Sequence, residues 1–262
     1  MKGKSGDRSI PAERRARVLS LLRSRGAASV AEIARETGVS ESTVRRDLRL
    51  LEEEGGIRRS HGGAVTSERA TFEPLFEDRR RSHAEEKARI GGHAVSLLEE
   101  GQSVIFDSSS TVVAAIEAFA RRPLRITAVT NDVYAASLLA SVSGVKVLVS
   151  GGVVRERSFT LLGPETQAFF ERLHADVALV GIHAIAGTTL TEAGLEVAAV
   201  KRAIIRAARR VVLLADHSKF GPPAFFDVCA LEEVDDLVTG SSLSEAKLRE
   251  ISKIGGLEVH LV

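Results

Sequence analysis

The chain has a single cysteine, Cys229, so no internal disulfide can form and no thiolate cluster is available to a metal. That points to a reducing compartment. No apolar run approaches the roughly 20 residues that span a bilayer, and Met1 to Arg8 is charged, without the apolar segment of a secretory signal. A cytoplasmic protein without membrane attachment is expected. Internal repeats and low-complexity tracts are absent. The seven histidines show neither His-x-x-x-His nor Cys-rich spacing, so neither a structural metal nor a cofactor is expected.

What is present is unevenly distributed. The net charge of +1 hides a basic head, since residues 1–65 hold 14 Lys/Arg against 9 Asp/Glu, and a mildly acidic remainder. The 262 residues suffice for a small head and a larger body. A positive head on such a body suits a polyanionic partner at one end.

The head reads as three helices. Pro11 opens the first, over Ala12 to Arg25, with Val18, Leu19 and Leu22 at helical spacing. Ser29 caps a short second helix, and Glu32 three residues on completes a capping box. Gly38 supplies the left-handed turn, Ser40 caps again, and Ser42 to Glu54 forms a third helix. Val44, Leu48 and Leu51 make its inward stripe, and Ser42, Arg45, Arg46 and Arg49 point the other way. Three guanidinium groups on the outer face of a helix after a tight turn are laid out to read a major groove. Ile57 to Val65 reads as a β-hairpin wing that brings Arg58, Arg59 and His61 to the backbone or minor groove. The DNA-facing set is Ser29, Ser40, Ser42, Thr43, Arg45, Arg46, Arg49, Arg58, Arg59 and His61. A three-helix module that binds protein instead is the competing reading of this head.

The strings Val-Ser-Glu-Ser-Thr-Val-Arg-Arg-Asp-Leu (39–48) and Arg-Ser-His-Gly-Gly-Ala-Val (59–65) resemble the DNA-binding domain of DeoR-family bacterial regulators. That resemblance places the helix-turn-helix element at about Ala27 to Arg46. Residues 10–65 are expected to form a winged helix-turn-helix domain, 66–82 a linker and 83–262 a second domain. Phe72, Leu75 and Phe76 make the linker too apolar for a free tether.

Beyond it, β-branched runs alternate with helices. Strands are expected at Ser103–Phe106, Ile126–Thr130, Val145–Val149, Val177–Val180, Val211–Ala215, Leu237–Thr239 and Leu257–Val262. Helices are expected at Ala84–Leu98, Thr111–Ala120, Val133–Ala140, Glu165–Leu173, Val197–Ala208 and Ser244–Lys253. This alternation implies an α/β fold with a mostly parallel sheet covered on both faces. Ligands of such sheets lie beyond the carboxyl ends of the strands. Polar residues gather there: Asp107, Ser109, Ser110 and Thr111 leading into a helix, Thr130-Asn131, Gly151-Gly152 with Arg155, Lys201, and Asp216 with Lys219. A hydroxyl-rich helix N-terminus is a natural phosphate seat.

The DeoR resemblance continues to about Thr239. It implies a sensor domain resembling ribose-5-phosphate isomerase that binds phosphorylated sugars or related metabolites. The family's Asp-x-Gly-Thr-Thr loop falls on 107–111, its Thr-Asn on 130–131, its Gly-Gly on 151–152, its Asp-x-Ser-Lys-Phe-Gly on 216–221 and its Glu-Lys pair on Glu86-Lys87. Three positions depart from the pattern. Ser109 and Ser110 stand where Gly and Thr are usual, Ala184-Ile185-Ala186 replaces Gly-Ile-Asp, and Val197 stands where the family carries Glu ahead of Lys201.

The expected function is a sequence-specific DNA-binding regulator that represses a carbohydrate-metabolism operon. A phosphorylated sugar or polyol would relieve it, and a homo-oligomer, dimer or tetramer, would place two heads on a double-stranded operator. The alternative is a sugar-phosphate isomerase-like enzyme with an appended DNA-binding head, for which Asp107 and Asp216 are the candidate bases.

Overall fold

The computed structural model describes residues 11–25, 27–54, 56–60, 62–66, 75–156 and 158–262. His61 and residues 67–74 of the linker, including Phe72, lie outside the described residues. The chain divides into two compact units, 1–82 and 83–262.

The first unit starts with α1 (Pro11–Arg25), β1 (Ala27–Ser29), α2 (Val30–Thr37) and α3 (Glu41–Glu53), and continues with β2 (Ile57–Ser60), β3 (Gly63–Thr66) and α4 (Phe76–Arg81). The stops are where the side chains dictate them. Ser29 and Glu32 form the reciprocal capping box on α2, and Gly38 ends that helix at φ 72°. Ser40 Oγ then accepts from Thr43 N–H to start α3. Val18, Leu22, Ile33, Val44, Leu48, Leu51, Ile57 and Ala64 close a small core. The wing is a three-stranded antiparallel sheet in the order β1-β3-β2, the outer strand β1 being an addition to the expected hairpin.

Two ion pairs hold helices of this unit together, and sequence pattern showed neither. Arg14 of α1 makes a two-pronged contact with Asp47 of α3 at 2.5 and 3.1 Å. Arg15 reaches Asp78 of α4 at 3.4 Å. The expected connector thus contains a helix, with Phe76 and Asp78 buried.

The second unit runs α5 (Ala84–Ser96), β4 (Ser103–Phe106), α6 (Ser110–Phe119), β5 (Ile126–Thr130), α7 (Val133–Ala140), β6 (Val145–Val149), β7 (Val153–Val154), β8 (Leu161–Leu162) and α8 (Pro164–Glu171). It continues with β9 (Ala175–Gly181), β10 (Ala184–Ala186), β11 (Thr189–Glu192), α9 (Leu195–Ala207), β12 (Ala208–Ala215), β13 (Phe226–Ala230), β14 (Asp236–Thr239), α10 (Glu245–Ile251) and β15 (Glu258–Leu261). Seven strands form one sheet in the order β15-β14-β12-β9-β4-β5-β6, every pairing parallel. Alternation along the strands divides the core by face. Val104 and Phe106, Val177 and Leu179, Val212 and Leu214 pack with α5, α6 and α7. Ile105, Ala178, Val180, Leu213 and Ala215 pack with α8 and α9. Gly91 lets α5 lie against α6, since a Cβ there would sit 2.6 Å from Ala115 N.

Smaller pieces flank this sheet. β10, β11 and β13 form an antiparallel sheet, and β7 pairs with β8. Burial pushes the Cys229 thiol on β13 up to about 12. No helix of the described residues is long and apolar enough to cross a membrane.

The Arg14–Asp47 pair yields a stability prediction. Asp47 is 3% exposed and Arg14 12%, so Asp47→Ala removes a largely desolvated charge partner and should destabilise the first unit by about 1–3 kcal/mol. Urea unfolding of the full chain followed by circular dichroism measures it. A loss below about 0.5 kcal/mol would rank the pair with ordinary surface ion pairs.

Candidate functional sites

On α3 the buried residues Val44, Asp47, Leu48 and Leu51 recur at i, i+3, i+4 and i+7. Ser42, Arg45, Arg46 and Arg49 repeat the same spacing two residues earlier, and all four are exposed. Burying one stripe on a 3.6-residue helix forces the other outward. Arg45 leans on Glu41 at 2.8 Å, one turn back, with both side chains about half exposed. Arg46, Arg49 and Arg58 make no ion pair among the described residues. Arg59 of the wing is tied back to α3, its Nε 2.6 Å from Glu52 Oε2 and its N–H donating to Oε1 at 2.9 Å. Those hydrogen bonds keep the Glu52 carboxyl below its usual range. Ser29 and Ser40 sit at the helix caps, and Thr43 Oγ1 lies 2.9 Å from Ser40 Oγ.

In the second unit the polar residues gather where the parallel strands end. Chain order reverses between β4 and β9, and Asp107 follows β4 at that crossover. Its Oδ2 accepts from Gly181 N–H at 3.0 Å and from Lys201 Nζ of α9. Lys201 also donates to Gly181 O at 2.8 Å and lies 3.6 Å from Glu192 Oε1. Asp107, Lys201 and Glu192 are all buried. A second acidic neighbour of Lys201 therefore comes from β11, while Val197 is buried and Glu196 exposed. An acid in a Thr-rich run gave no sequence signal for that role.

The next turn begins α6. Ser109 Oγ caps Thr111 N–H at 3.2 Å, and no other side chain among the described residues caps the remaining first-turn donors. Ser109 is packed against Gly181, where a Cβ would meet its Oγ at 2.0 Å. Along the edge, Thr130 and Asn131 are buried after β5, with Asn131 Nδ2 donating to Leu161 O at 3.3 Å. Gly151 and Gly152 are exposed after β6, and Arg155 and Lys219 are partly exposed. Gly152 has φ +126°, and a Cβ there would strike Thr166 Oγ1 at 2.1 Å. After β12, Asp216 Oδ1 accepts from Ser218 N–H at 3.1 Å. Burial pushes the Asp216 carboxyl up, but Lys219, Lys87 and the Ser218 hydrogen bond outweigh it and hold the group below its usual range. Asp107 Oδ1, Asn131 Oδ1, Ser150 Oγ, Asp216 Oδ2 and Thr239 Oγ1 are buried without a hydrogen bond. Five strand exits of one sheet thus carry polar atoms with unmet bonding capacity.

A winged helix-turn-helix unit with an outward arginine stripe, beside a parallel α/β unit with polar strand exits, defines a DNA-binding transcription regulator with a sensor domain. The model of the DeoR-like helix-turn-helix domain matches residues 14–70, and that of the DeoR C terminal sensor domain matches residues 82–241. The chain belongs to the DeoR family. It is 34% identical to the HTH-type transcriptional regulator GlpR of Haloferax volcanii, over 94% of this chain and 96% of that protein. It is 33% identical to the HTH-type transcriptional repressor GlcR of Bacillus subtilis over 87% of each. Identity to the glycerol-3-phosphate regulon repressor of Escherichia coli is 32%, over 85% of this chain and 88% of that one. Among solved structures, ribose 5-phosphate isomerase A of Methanocaldococcus jannaschii is 17% identical, over 53% of this chain and 56% of that one, at a TM-score of 0.41.

The Ser109–Gly181 contact is testable as a pair. Gly181→Ala overpacks the crossover and should cost about 1–3 kcal/mol, and adding Ser109→Gly should return most of it. Denaturant unfolding of the two single variants and the double variant gives the coupling. Additive losses would show that the two residues do not touch.

Proposed function

We propose that this regulator is a repressor of a carbohydrate-metabolism operon and that a phosphorylated sugar or polyol releases it from double-stranded DNA. The supporting observation for the head is the pair of complementary stripes on α3. With Val44, Leu48 and Leu51 in the core, Ser42, Arg45, Arg46 and Arg49 form the surface offered to a major groove. Arg58 and Arg59 of the wing, with Ser29, Ser40 and Thr43 near the helix starts, are assigned to the DNA backbone. In this reading residues 10–65 are the DNA-binding domain, 66–82 the linker and 83–262 the sensor. Paired heads on a cytoplasmic homo-oligomer would match a two-fold operator.

Arg46→Ala should weaken operator binding by about 1–3 kcal/mol and relax preference at one base pair. Gel shifts on an operator series at several salt concentrations measure both effects. Equal loss on every sequence, with a shallower salt slope, would reassign Arg46 to phosphate.

For the sensor, the effector's phosphate is assigned to the α6 N-terminus, with Ser110 and Thr111 beside it and its hydroxyls toward Thr130, Asn131, Gly151, Gly152 and Asp216. Lys219 and Arg155 are the cations at the rim. Asp107 and Lys201, already paired, hold the floor of the site rather than touch the ligand through free charge. The same pairing argues against turnover. An isomerase needs a positioned base, yet Asp107 is tied to Lys201 and Ala186 supplies no acid. The effector acts by binding one arrangement of the protein better than the other.

A thermal-shift series with glycerol 3-phosphate, pentose phosphates and hexose phosphates tests this, with inorganic phosphate as reference. A hundredfold excess over Kd should stabilise the folded chain by about 2.7 kcal/mol, and Lys219→Gln should shrink that response. No response to any of them, or isomerised product in the mixture, would overturn the assignment.

A further inference from the structure

We propose that His83, Glu86 and His217 form a binding site for a divalent transition-metal ion. One potential ligand atom from each lies within 4.8 Å of the other two. A tetrahedral ion with bonds of ~2.1 Å holds its ligands ~3.4 Å apart. Closing the set therefore takes changes of up to about 1.4 Å between ligand atoms.

The cluster is built to present lone pairs. Glu86 reaches its position because residue 240 is glycine, where a Cβ would stand 2.0 Å from Oε1. That same Oε1 accepts from His217 N–H at 2.9 Å, which fixes the carboxylate from outside the site. Oε2 then lies 2.6 Å from His217 Nδ1. A proton shared by an imidazole nitrogen and a carboxylate oxygen occupies the lone pairs that a metal would use. His83 supplies the third donor. Its ring stands nearly perpendicular to that of His217, centroids 4.6 Å apart, and its nitrogens make no hydrogen bond among the described residues. It is also the one described non-glycine residue at positive φ, 54°, held there at the N-terminus of α5.

The surrounding charges select the kind of ion. Lys87 Nζ lies 3.8 Å from Asp216 Oδ2, and Lys219 also acts on Asp216. With Glu86 and Asp216 opposed by two lysines, no excess negative field remains to hold Mg2+ or Ca2+, which want several oxygen ligands. Two imidazoles and one carboxylate suit Zn2+, Fe2+ or Co2+ through coordination bonds. Three protein ligands leave a coordination position open. Because His217 follows β12 at the carboxyl edge of the sheet, an effector oxygen would complete the shell, a step that rests on the sensor reading above. Metal binding itself does not.

The experiment uses chelator-stripped full-length protein without any sugar phosphate. Zn2+ is titrated calorimetrically, and Co2+ is followed by its visible absorption. One ion per chain is expected, with His83→Asn and His217→Gln each weakening it at least tenfold and His93→Asn, beside His260, leaving it unchanged. Melting curves in chelator report whether each variant is folded. Substoichiometric Zn2+, or equal affinity in folded His83→Asn and His217→Gln, overturns the site. Repeating the titration with glycerol 3-phosphate separates the two ideas. One bound Zn2+ with no response to the phosphate ester upholds the metal site while counting against the effector assignment.

Discussion

The sensor domain is organised around one buried ion pair, Asp107 with Lys201. Two charges taken out of water need further hydrogen bonds nearby to offset their lost hydration, and of the Asp107 carboxylate all but Oδ1 is engaged. Here Gly181 contributes both its N–H, to Asp107, and its carbonyl, to Lys201, and Glu192 stands behind the ammonium. The pair therefore joins the end of β4, the end of β9, α9 and β11 at one point. That point is the crossover of the sheet, where connections leave in opposite directions and open the crevice that ligands of such folds use. Setting the exit of β4 also sets where α6 begins, and with it the direction of that helix's first N–H groups. Ser109 against Gly181 locks the same junction sterically.

The head obeys a parallel constraint with apolar contacts in the leading part. Burying Val44, Leu48 and Leu51 fixes the rotation of α3, and Arg14 gripping Asp47 fixes its position against α1. The exposed arginines are thereby aimed by residues that never meet solvent. A substitution on the buried stripe would disturb the outer surface as surely as one on the arginines themselves.

Much of this was legible from the amino-acid order, and for identifiable reasons. Ser103–Phe106, Ile126–Thr130 and Val145–Val149 were expected at the boundaries observed, because each is a short run rich in β-branched residues that ends on a polar exit. The caps at Ser29, Gly38 and Ser40 were readable because capping is local chemistry. What escaped depends on distant partners. β11 and β13 pair across the interval from Thr189 to Ala230, and no pattern inside four or five residues reports that. α4 lacks an apolar period, so Phe76-Glu77-Asp78-Arg79-Arg80-Arg81 read as connector. Asp107 and Lys201 were each singled out, but their contact joins positions 94 residues apart. On the proposed sensor reading, that contact gives them the floor of the site rather than a direct hold on a ligand. The loss of acid at Ala186 was plain, whereas its counterpart at Val197 was made good by Glu192, which only the folded chain brings near.

The two units also differ in how charge is handled, and the proposed functions follow that difference. On α3 the guanidinium groups face solvent with at most one exposed acidic neighbour, so their attraction to a polyanion is long-ranged and weakened by salt. At the strand exits the charges are already opposed, Asp107 by Lys201 and Asp216 by Lys87 and Lys219. A ligand entering there meets little net field. It meets fixed N–H groups, hydroxyls and an amide oxygen whose bonding is incomplete. Such a site discriminates by the placement of a ligand's hydroxyls, because each one misplaced leaves a buried group unpaired. On the proposed sensor reading, selectivity among phosphorylated metabolites would reside in Asn131, Thr130 and Thr239 more than in the cations around them.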